Sequence, residues 1–540
     1  MTLMETVAQL FARSLAAGGI DTVYAMPGEE TIALMNALEK SPIDVILCRH
    51  EQGAAFMASV HGRLTGRPAA CLATLGPGAT NLITGVADAQ LDGVPLIAIT
   101  GQGARERVAR GRDSHQIIDL TALFEPVTKR SETLYTCHVI PGVVAEALRI
   151  AQAPTPGAVH LSLPEDLAEL EATGEPIIHD RSFTPSCNPG AVSAAVDCIQ
   201  RADRALALVG AGVIRAGATG DLTQFLTCAQ IPVATSFMGK GTVPIEHELH
   251  LGAFGLPGKD HVDQAIASAD VLVAIGVDPV EYPFTKLSGG NTPVVNVSDV
   301  AMPRNLGAPV AVDVVGHIGA SLSELGKNLA PEGQALWDEA QTAQLRMLDE
   351  QNAALNAIEV QPPSASALVA ALNLSVGEDD LILSGVGTHK LALAREFMCR
   401  FPRQLIVPNG LAGMGLALPG AIAAARLRQS GRVIAVCGDG DVLMNVQEME
   451  TAKRLGVDLT VVVWVDGGLG LIEDKQEADT GDRPNLSFHD LDWASLARTF
   501  GWAHRACTTA AELRDTLKDT AMSRGLHLVT VPVRYEGLYA

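Results

Sequence analysis

Apolar residues recur along this chain in short runs that alternate with amphipathic stretches of helical period. Short β-branched runs separated by helical stretches are typical of parallel sheets with crossover helices. The runs of the first block are DTVYAM, DVILC, AACLAT, PLIAIT and AVHLSLP. Those of the second are ALALVG, IPVATS, VLVAIG and PVVNVS, and those of the third are LILSGV, QLIVPN, RVIAVC, LTVVVWV and HLVTVPV. The pattern predicts an α/β protein with three doubly wound parallel sheets, one for each block.

Polar, proline-containing segments separate the blocks and set the predicted domain boundaries. The stretch LAELEATGEPIIHDRSFTPSCNPG follows the first block, and QPPS precedes the third. Such a composition is typical of linkers. We predict an N-terminal domain over residues 1–175, a central domain over 190–335 and a C-terminal domain over 360–540.

The charge balance and the cysteine pattern indicate which partners and which cellular compartment to expect. The chain carries 39 Lys and Arg against 61 Asp and Glu, a formal net charge of −22, so neither nucleic acid nor an anionic membrane is an expected partner. The sequence shows no apolar run long enough to span a membrane, and MTLMETVAQLFARSL lacks the charge order of a signal peptide. The 9 cysteines include no CxxC pair, which predicts reduced thiols and a cytoplasmic protein.

The segment GDGDVLMNVQEMETAKRLGVDLTVVVWVDGG, residues 438–468, carries the strongest chemical signal. Asp439 follows one predicted strand, an amphipathic helix over VLMNVQEMETAKRL comes next, and Asp466 ends the following strand. If the strands are parallel, both acids lie at the sheet edge where ligands bind. Two carboxylates with phosphate oxygens suit Mg²⁺, and the start of the helix suits phosphate. The alternative is a pair of solvated turn acids with nothing bound.

This segment resembles the cofactor motif of thiamine diphosphate enzymes, in which Gly-Asp-Gly precedes a second acid or amide by about this distance. The family usually ends the motif in Asn-Asn or Asn-Asp, whereas this chain has Val465-Asp466. The resemblance implies Mg²⁺ bound by Asp439, Asp466 and the carbonyl of Gly468. It also implies contacts with thiamine diphosphate at Gly438, Gly440, Asp441, Gly470 and Leu471.

A glutamate in the first block supplies the catalytic group that the family requires. RHEQGAAFMA, which contains Glu51, resembles the family's catalytic glutamate segment. The resemblance implies that Glu51 protonates the pyrimidine ring of the cofactor, with Gly28 also at the cofactor. Alone, a glutamate at a helix start is an ordinary partner of the helix dipole. In this family the ring lies between subunits, which implies a homodimer or a homotetramer.

Further segments look like those of acetolactate and acetohydroxyacid synthases, and LATLGPGATNLITGVADAQLDGVPLIAITGQ is one of them. DSHQIIDLTALFEPVTK resembles a segment of the FAD-independent acetolactate synthases, which implies that His115 and Gln116 face the reacting carbon. SGVGTHKL resembles the loop that contacts the diphosphate, and NGLAGMGLALPG resembles the segment beneath the cofactor. LGLIEDKQ should line the acceptor pocket. The residues that these three segments contribute are Gly387, Thr388, His389, Gly410, Met414, Ile472 and Lys475.

Three of these residues also have ordinary interpretations. His115 would otherwise be a satisfied surface or core histidine, Met414 a core methionine and Lys475 a solvent-facing lysine. In addition, the family often has Gln where Thr388 stands.

The central block bears on whether FAD is present. IGVDPVEY resembles the FAD-free synthases, because Val277-Asp278 stands where FAD-binding synthases usually carry an arginine. LVGAGVIRAG contains a Gly-x-Gly after a predicted strand, a weak dinucleotide signal that we interpret as a structural turn. FAD is therefore possible but not favoured.

The resemblance implies decarboxylation of pyruvate, or of another small 2-keto acid, and transfer of the two-carbon unit to a second 2-keto acid. Simple decarboxylases of the family carry a His-His pair, and this chain has no adjacent histidines, which favours carbon–carbon bond formation. The alternatives are a thiamine diphosphate lyase or carboligase with another donor or acceptor, an FAD-containing oxidase, and a non-catalytic protein that keeps the fold.

Overall fold

Three six-stranded parallel sheets organise the chain, one for each block of the sequence pattern. The structure is a computed structural model that describes residues 5–110, 115–178, 184–255, 260–283, 285, 291–303, 307, 309–329 and 337–535. The sheets confirm the predicted fold class. The predicted end of the central domain, near residue 335, lies outside the described residues.

The N-terminal sheet has the strand order β3-β2-β4-β5-β7-β6, and a two-stranded antiparallel pair, β1 and β8, lies beside it. Its strands are β1 Glu5–Thr6, β2 Thr22–Met26, β3 Asp44–Leu47, β4 Ala69–Ala73, β5 Leu96–Gln102, β6 Arg130–Thr133, β7 Ala158–Pro164 and β8 Glu171–Ala172. The helices of this domain are α1 Val7–Ala17, α2 Ile32–Glu39, α3 Glu51–Thr65, α4 Pro77–Leu91, α5 Arg105–Arg110, α6 Leu120–Phe124, α7 Ile140–Gln152 and α8 Glu165–Ala168.

The central sheet has the order β11-β10-β9-β12-β13-β14. Its strands are β9 Ala205–Val209, β10 Val233–Thr235, β11 His250–Ala253, β12 Val271–Ile275, β13 Val294–Ser298 and β14 Val310–Val315. Described helices of this domain are α9 Pro189–Arg201, α10 Gly212–Arg215, α11 Thr219–Ala229, α12 His261–Ser268 and α13 Ile318–Asn328, and α14 Asp338–Asn356 follows them.

The C-terminal sheet has the order β16-β15-β17-β18-β20-β19. Its strands are β15 Leu381–Ser384, β16 Leu405–Ile406, β17 Val433–Gly438, β18 Leu459–Val465, β19 Ala503–Ala506 and β20 Leu526–Pro532. Its helices are α15 Ala365–Ser375, α16 Thr388–Glu396, α17 Ala417–Leu427, α18 Asp439–Leu443, α19 Glu448–Leu455, α20 Gly470–Thr480, α21 Trp493–Phe500 and α22 Ala510–Ala521.

One hydrophobic core joins the N-terminal and C-terminal domains within the chain. It contains buried residues of α3 and α4 together with those of α17. Small residues allow this close packing, and a Cβ atom added at Gly85 would lie 2.5 Å from the Cβ of Ala55. The central domain has two hydrophobic clusters of its own. Among the described helices, none has the length and apolar character needed to cross a membrane.

The helix predicted after the Gly-Asp-Gly motif is not continuous, so that part of the prediction was wrong. It is divided into α18 and α19, with turns between Leu443 and Glu448. The buried Asn445 lies at the break, and its side-chain amide donates to the carbonyl of Gly415 at 2.9 Å. A side chain committed to a distant carbonyl, together with i→i+3 turns, replaces the regular helical ladder here.

Candidate functional site

Asp439 and Asp466 lie side by side at the carboxyl edge of the C-terminal sheet. Strands β17 and β18 are parallel neighbours, so the residues that follow them meet at one edge. Asp439 accepts hydrogen bonds from the N–H of Gly440 at 2.7 Å and the N–H of Gly467 at 2.8 Å. Burial, and then the charge and hydrogen bond of Asp439, raise the pKa of Asp466 to about 7. Two carboxyl groups in contact are a donor set that a divalent cation fits.

The glycines after β18 crowd around these acids. The N–H of Gly468 donates to Asp466, and a Cβ atom at Gly470 would lie 2.6 Å from Oδ2 of Asp466. Gly467 has φ +78°, which favours glycine. The loop therefore keeps space beside the two carboxyl groups that a side chain would fill.

Three loops of the C-terminal domain converge on Asp441. Its Oδ1 accepts from the N–H of Val386 and from the N–H of Gly415, both at 2.9 Å. Burial raises the pKa of Asp441 to about 6. Asp441 therefore joins the segment that carries Gly387 to the segment that carries Met414, a role that sequence analysis did not predict.

His389 lies next to the Gly-Asp-Gly turn. A Cβ atom at Gly438 would lie 3.4 Å from its Nδ1, and one at Gly387 would lie 3.0 Å away. The buried Nε2 of His389 has no hydrogen-bond partner among the described residues, and burial lowers the pKa of this side chain to about 3. An unpartnered, neutral ring nitrogen is unusual in a core and suits a ligand oxygen. Thr388 beside it is also buried.

The segment after α20 covers the turn at Gly440. A Cβ atom at Gly440 would lie 2.8 Å from the ring of Phe488, and the N–H of Phe488 donates to the carbonyl of Gly467 at 2.6 Å. The guanidinium of Arg483 bonds to Glu473 of α20 at 2.9 Å and so ties the segment to that helix. On α20, Ile472 and Lys475 are exposed, and Leu471 is half-buried.

Glu51 is the first residue of α3 and lies at the carboxyl edge of the N-terminal sheet. Its Oε2 accepts from the side-chain amide of Asn81 on α4 at 3.0 Å, and its side chain is 12% exposed. A Cβ atom at Gly78 would lie 3.3 Å from Oε1 of Glu51. The glycine turn before α4 therefore lies against the carboxylate, and Asn81 orients it.

Glu448 of the C-terminal domain holds the start of α3. Its Oε1 accepts from the N–H groups of Arg49 and His50, both at 3.0 Å, and its Oε2 accepts from the hydroxyl of Thr451 at 2.6 Å. Burial raises the pKa of Glu448. This carboxyl group therefore connects the two domains directly beside Glu51, and no local sequence motif marked it.

Gln116 and Gly28 lie at the same edge of the N-terminal sheet, near the Gly76–Gly78 turn. Gln116 has φ +61°, and a Cβ atom at Gly76 would lie 2.8 Å from its carbonyl oxygen. A Cβ atom at Gly28 would lie 2.6 Å from Thr74. His115 is exposed, and no hydrogen bond or ion pair joins it to Glu51 within the described residues.

The segment over Gly410–Met414 contacts the other domains. The N–H of Gly410 donates to Asp92 at 2.5 Å, and a Cβ atom at Gly410 would also lie 2.8 Å from Val280. A Cβ atom at Gly413 would lie 3.3 Å from Thr84 of α4. Met414 is half-buried. Gly410 therefore lies where the three domains meet, and its own contacts are not with the Gly-Asp-Gly turn.

Sequence profiles of known families match the chain in three parts. The profile described as "Thiamine pyrophosphate enzyme, N-terminal TPP binding domain" matches residues 5–123. The central domain of the same family matches residues 192–325, and its C-terminal TPP binding domain matches residues 385–531. The chain belongs to the thiamine pyrophosphate enzyme family.

Relatives of nearly equal length are acetolactate synthases. The acetolactate synthase of Bacillus subtilis is 30% identical over 542 residues, which cover 98% of this chain and 93% of the relative. The catabolic acetolactate synthase of Raoultella terrigena is 29% identical over 536 residues, covering 98% and 95%. The large subunit of acetolactate synthase isozyme 1 of Escherichia coli is 31% identical over 477 residues, covering 87% and 83%. The chain is thus a thiamine diphosphate-dependent enzyme similar to acetolactate synthases.

Proposed function

We propose that this enzyme decarboxylates pyruvate and joins the two-carbon unit to a second 2-keto acid, forming acetolactate. The observation that carries the proposal is the contact between the carboxyl groups of Asp439 and Asp466 beside the loop that holds His389. The full-length likeness to acetolactate synthases supports the choice of substrate.

The residues at this edge fit Mg²⁺ and a diphosphate. Asp439, Asp466 and Gly468 would hold the cation, because the two carboxyl groups touch and the loop leaves space beside them. The buried Nε2 of His389, which has no partner in the described structure, would bond a diphosphate oxygen. Gly438 and Gly440 allow the close approach that such a ligand needs.

Bound thiamine diphosphate supplies a thiazolium ring that accepts the electron pair released when a 2-keto acid loses CO₂. Glu51 would hold a proton at the pyrimidine nitrogen of the cofactor, and Asn81 fixes the orientation of the Glu51 carboxylate. Glu448 fixes the backbone on which Glu51 begins its helix. Gln116, in its left-handed conformation near the same edge, and His115 would face the reacting carbon.

The acceptor side of the site involves α20 and a second subunit. Ile472 and Lys475 are exposed on α20, which leaves them accessible to an acceptor acid or to a partner chain. We expect a homodimer or homotetramer with active sites between subunits, located in the cytoplasm. All 9 cysteines are free, which agrees with a reducing compartment.

Product analysis tests the reaction. Purified full-length protein is incubated with pyruvate, Mg²⁺ and thiamine diphosphate, and acetolactate, acetaldehyde and acetate are measured. The expected product is acetolactate. Glu51→Gln should bind the cofactor normally and lose roughly 100-fold or more of kcat, because proton transfer contributes ~10²–10⁴-fold.

The control variant is Glu39→Gln, which changes an exposed glutamate at the end of α2 in the same domain and should keep full activity. Normal turnover by Glu51→Gln, or acetaldehyde or acetate as the only product, would contradict the proposed reaction.

We propose that the reaction proceeds without FAD. The N–H of Ala211, in the Gly-x-Gly turn of the central sheet, donates to both carboxylate oxygens of Glu281 at 3.1 Å. A Cβ atom at Gly210 would lie 2.8 Å from the same carboxylate, which also accepts from the N–H of Asp278 at 3.1 Å. A dinucleotide places its phosphates at such a turn. The carboxylate of Glu281 already occupies that position.

The absorbance spectrum of the purified enzyme checks this assignment. We expect no flavin absorbance and no change in acetolactate formation when FAD is added. Flavin bound in a one-to-one ratio after purification would refute it.

A further inference from the structure

A cavity of about 250 Å³ lies where the three domains meet, apart from the acids at the C-terminal sheet edge. Its apolar wall includes Val94 of the N-terminal domain, Ile214 and Met238 of the central domain, and Leu405 and Val407 of the C-terminal domain. Pockets for drug-sized ligands are ~300–1,000 Å³, so an occupant of this cavity has to be small.

Arg403 lines this cavity and has no counter-charge. Within the part of the chain that the structure describes, its guanidinium makes no ion pair and no hydrogen bond. Burial alone, with no acid acting on it, lowers the pKa of Arg403. Its backbone has φ +65°, a conformation that is strained for a residue with a long side chain. Backbone strain clusters at ligand-binding sites, and Arg403 combines it with a half-buried charge that has no partner within the described residues.

Of the other charged groups on the wall, Arg63 and Asp92 pair with each other, whereas the guanidinium of Arg215 makes no ion pair and no hydrogen bond within the described residues. Arg63 bonds to Asp88 at 2.7 Å and to Asp92 at 2.6 Å. The charge of Arg215 acts on the carboxyl groups of Glu281 and Asp299 and opposes the rise in their pKa that burial causes. An additional anion therefore meets two arginines that lack an ion pair within the described residues, Arg215 and Arg403, and of these Arg403 has no acid acting on its charge.

We propose that this cavity binds a small aliphatic carboxylate, with its carboxylate on Arg403 and its apolar body against Ile214, Leu405 and Val407. A planar guanidinium pairs with a carboxylate through two parallel hydrogen bonds. The apolar wall distinguishes such an acid from inorganic phosphate, which has no apolar part. The bound acid contacts residues of the central and C-terminal domains, in a cavity whose wall also includes Val94 of the N-terminal domain. The site is separate from the proposed reaction and does not depend on it.

Calorimetric titration of the full-length protein, with no thiamine diphosphate or Mg²⁺ present, tests the site. The probe is sodium 4-methylpentanoate, and 4-methylpentan-1-ol and inorganic phosphate are titrated beside it. We expect saturable one-to-one binding of the acid alone. Binding of phosphate without the acid, or no binding of the acid at all, would overturn the proposal.

Variants locate the binding. Arg403→Asn keeps a residue type that tolerates a positive φ and should weaken binding at least ~10-fold, the order expected from losing a charged hydrogen-bond pair. Arg524→Asn removes an exposed arginine with the same change in charge and should bind normally. Circular dichroism confirms that each variant is folded. Arg403→Lys, which retains the positive charge, should recover part of the affinity.

The proposed acceptor pocket also presents a cation, Lys475, so the titration is repeated on Lys475→Gln. Unchanged affinity in Lys475→Gln together with weakened affinity in Arg403→Asn supports the cavity. The reverse pattern assigns the binding to the proposed active site and overturns the inference. Because the titration uses no cofactor, a failure of the proposed reaction leaves this result unaffected.

Discussion

Asp439 is fixed before any cation arrives. Both of its carboxylate oxygens accept backbone N–H groups, one from Gly440 and one from Gly467. The carboxyl group of Asp466 therefore meets a partner whose orientation is already set, which lowers the ordering cost of binding. Backbone geometry, as well as charge, therefore shapes the proposed metal site.

Asp439→Ala should remove cofactor binding that depends on Mg²⁺. The variant keeps the carboxyl group of Asp466 but lacks that of Asp439, so the N–H groups of Gly440 and Gly467 lose their acceptor. We therefore expect thiamine diphosphate to bind at least ~100-fold more weakly, a loss of about 3 kcal/mol of binding free energy. Fluorescence titration with and without Mg²⁺ measures this change. Asp490→Ala, at an exposed position nearby, is the control. Equal cofactor affinity of Asp439→Ala and the wild-type protein would contradict the metal assignment.

The turn that leads into helix α3 is held by a carboxyl group from another domain. The N-terminus of this helix carries Glu51, and the N–H groups just before it donate to Glu448 rather than to a neighbouring side chain. Glu448→Ala leaves these N–H groups without their charged acceptor at a buried position, which costs about 3 kcal/mol. The position of Glu51 is also loosened, so we expect kcat to fall about 10-fold while Glu448→Gln keeps most of it.

Urea unfolding and steady-state kinetics on the same preparations measure both effects. Glu450→Ala removes a half-exposed glutamate that pairs with Arg454 and should change neither quantity by much. A Glu448→Ala variant as stable and active as the wild type would show that the hydrogen bonds from Arg49 and His50 to Glu448 are unimportant.

The central strands of each sheet could be predicted from the sequence, whereas several edge strands could not. Within the six-stranded sheets, the strands that apolar runs did not mark are β6, β11, β14 and β19, and each lies at an edge of its sheet. An edge strand has one hydrogen-bonding partner and more solvent contact, so it needs no continuous apolar run. RSET and AHRA, the sequences of β6 and β19, show how polar such strands are.

The residues of the candidate site also fall into two groups, those that a local motif predicted and those that no local motif marked. Asp439, Asp466 and Glu51 belong to local motifs, and the structure places each at a carboxyl sheet edge. Glu448 and Asp441 act across long sequence separations, and Gly410 contacts Asp92 rather than the Gly-Asp-Gly turn. A contact between residues hundreds of positions apart leaves no local pattern, because its partner is set by packing.

Buried neutral histidines make the whole molecule sensitive to acid. Burial lowers the pKa of His160, His250 and His389 each to about 3. Histidine in an unfolded chain has a pKa of about 6.5, so below that pH the unfolded state binds more protons than the folded state. The free energy of unfolding carries no penalty from these histidines above pH ~6.5 and falls as the pH drops toward ~3. Each histidine lowers the free energy of unfolding by about 2 kcal/mol at pH 5.

His160→Asn tests this dependence at one position. Nδ1 of His160 lies 2.9 Å from the hydroxyl of Ser131 and Nε2 lies 2.9 Å from that of Thr100, so the variant lowers stability at every pH. The informative quantity is the change in the urea midpoint between pH 7.5 and pH 5, which should be smaller than in the wild type. His138→Asn, at an exposed position, should keep the wild-type difference. An unchanged difference in His160→Asn would contradict the assignment.

The core shared by the first and last domains has a consequence for synthesis. Helix α4 ends at Leu91, yet α17, which completes the apolar surface over α3 and α4, begins at Ala417. Ribosomes add ~5–20 residues each second, so roughly 15–70 s pass between the synthesis of α4 and the synthesis of α17. During that interval the apolar face of the nascent chain's first domain lacks its partner from the last. The order of domains along the chain therefore creates a requirement for protection on the ribosome that the finished enzyme no longer has.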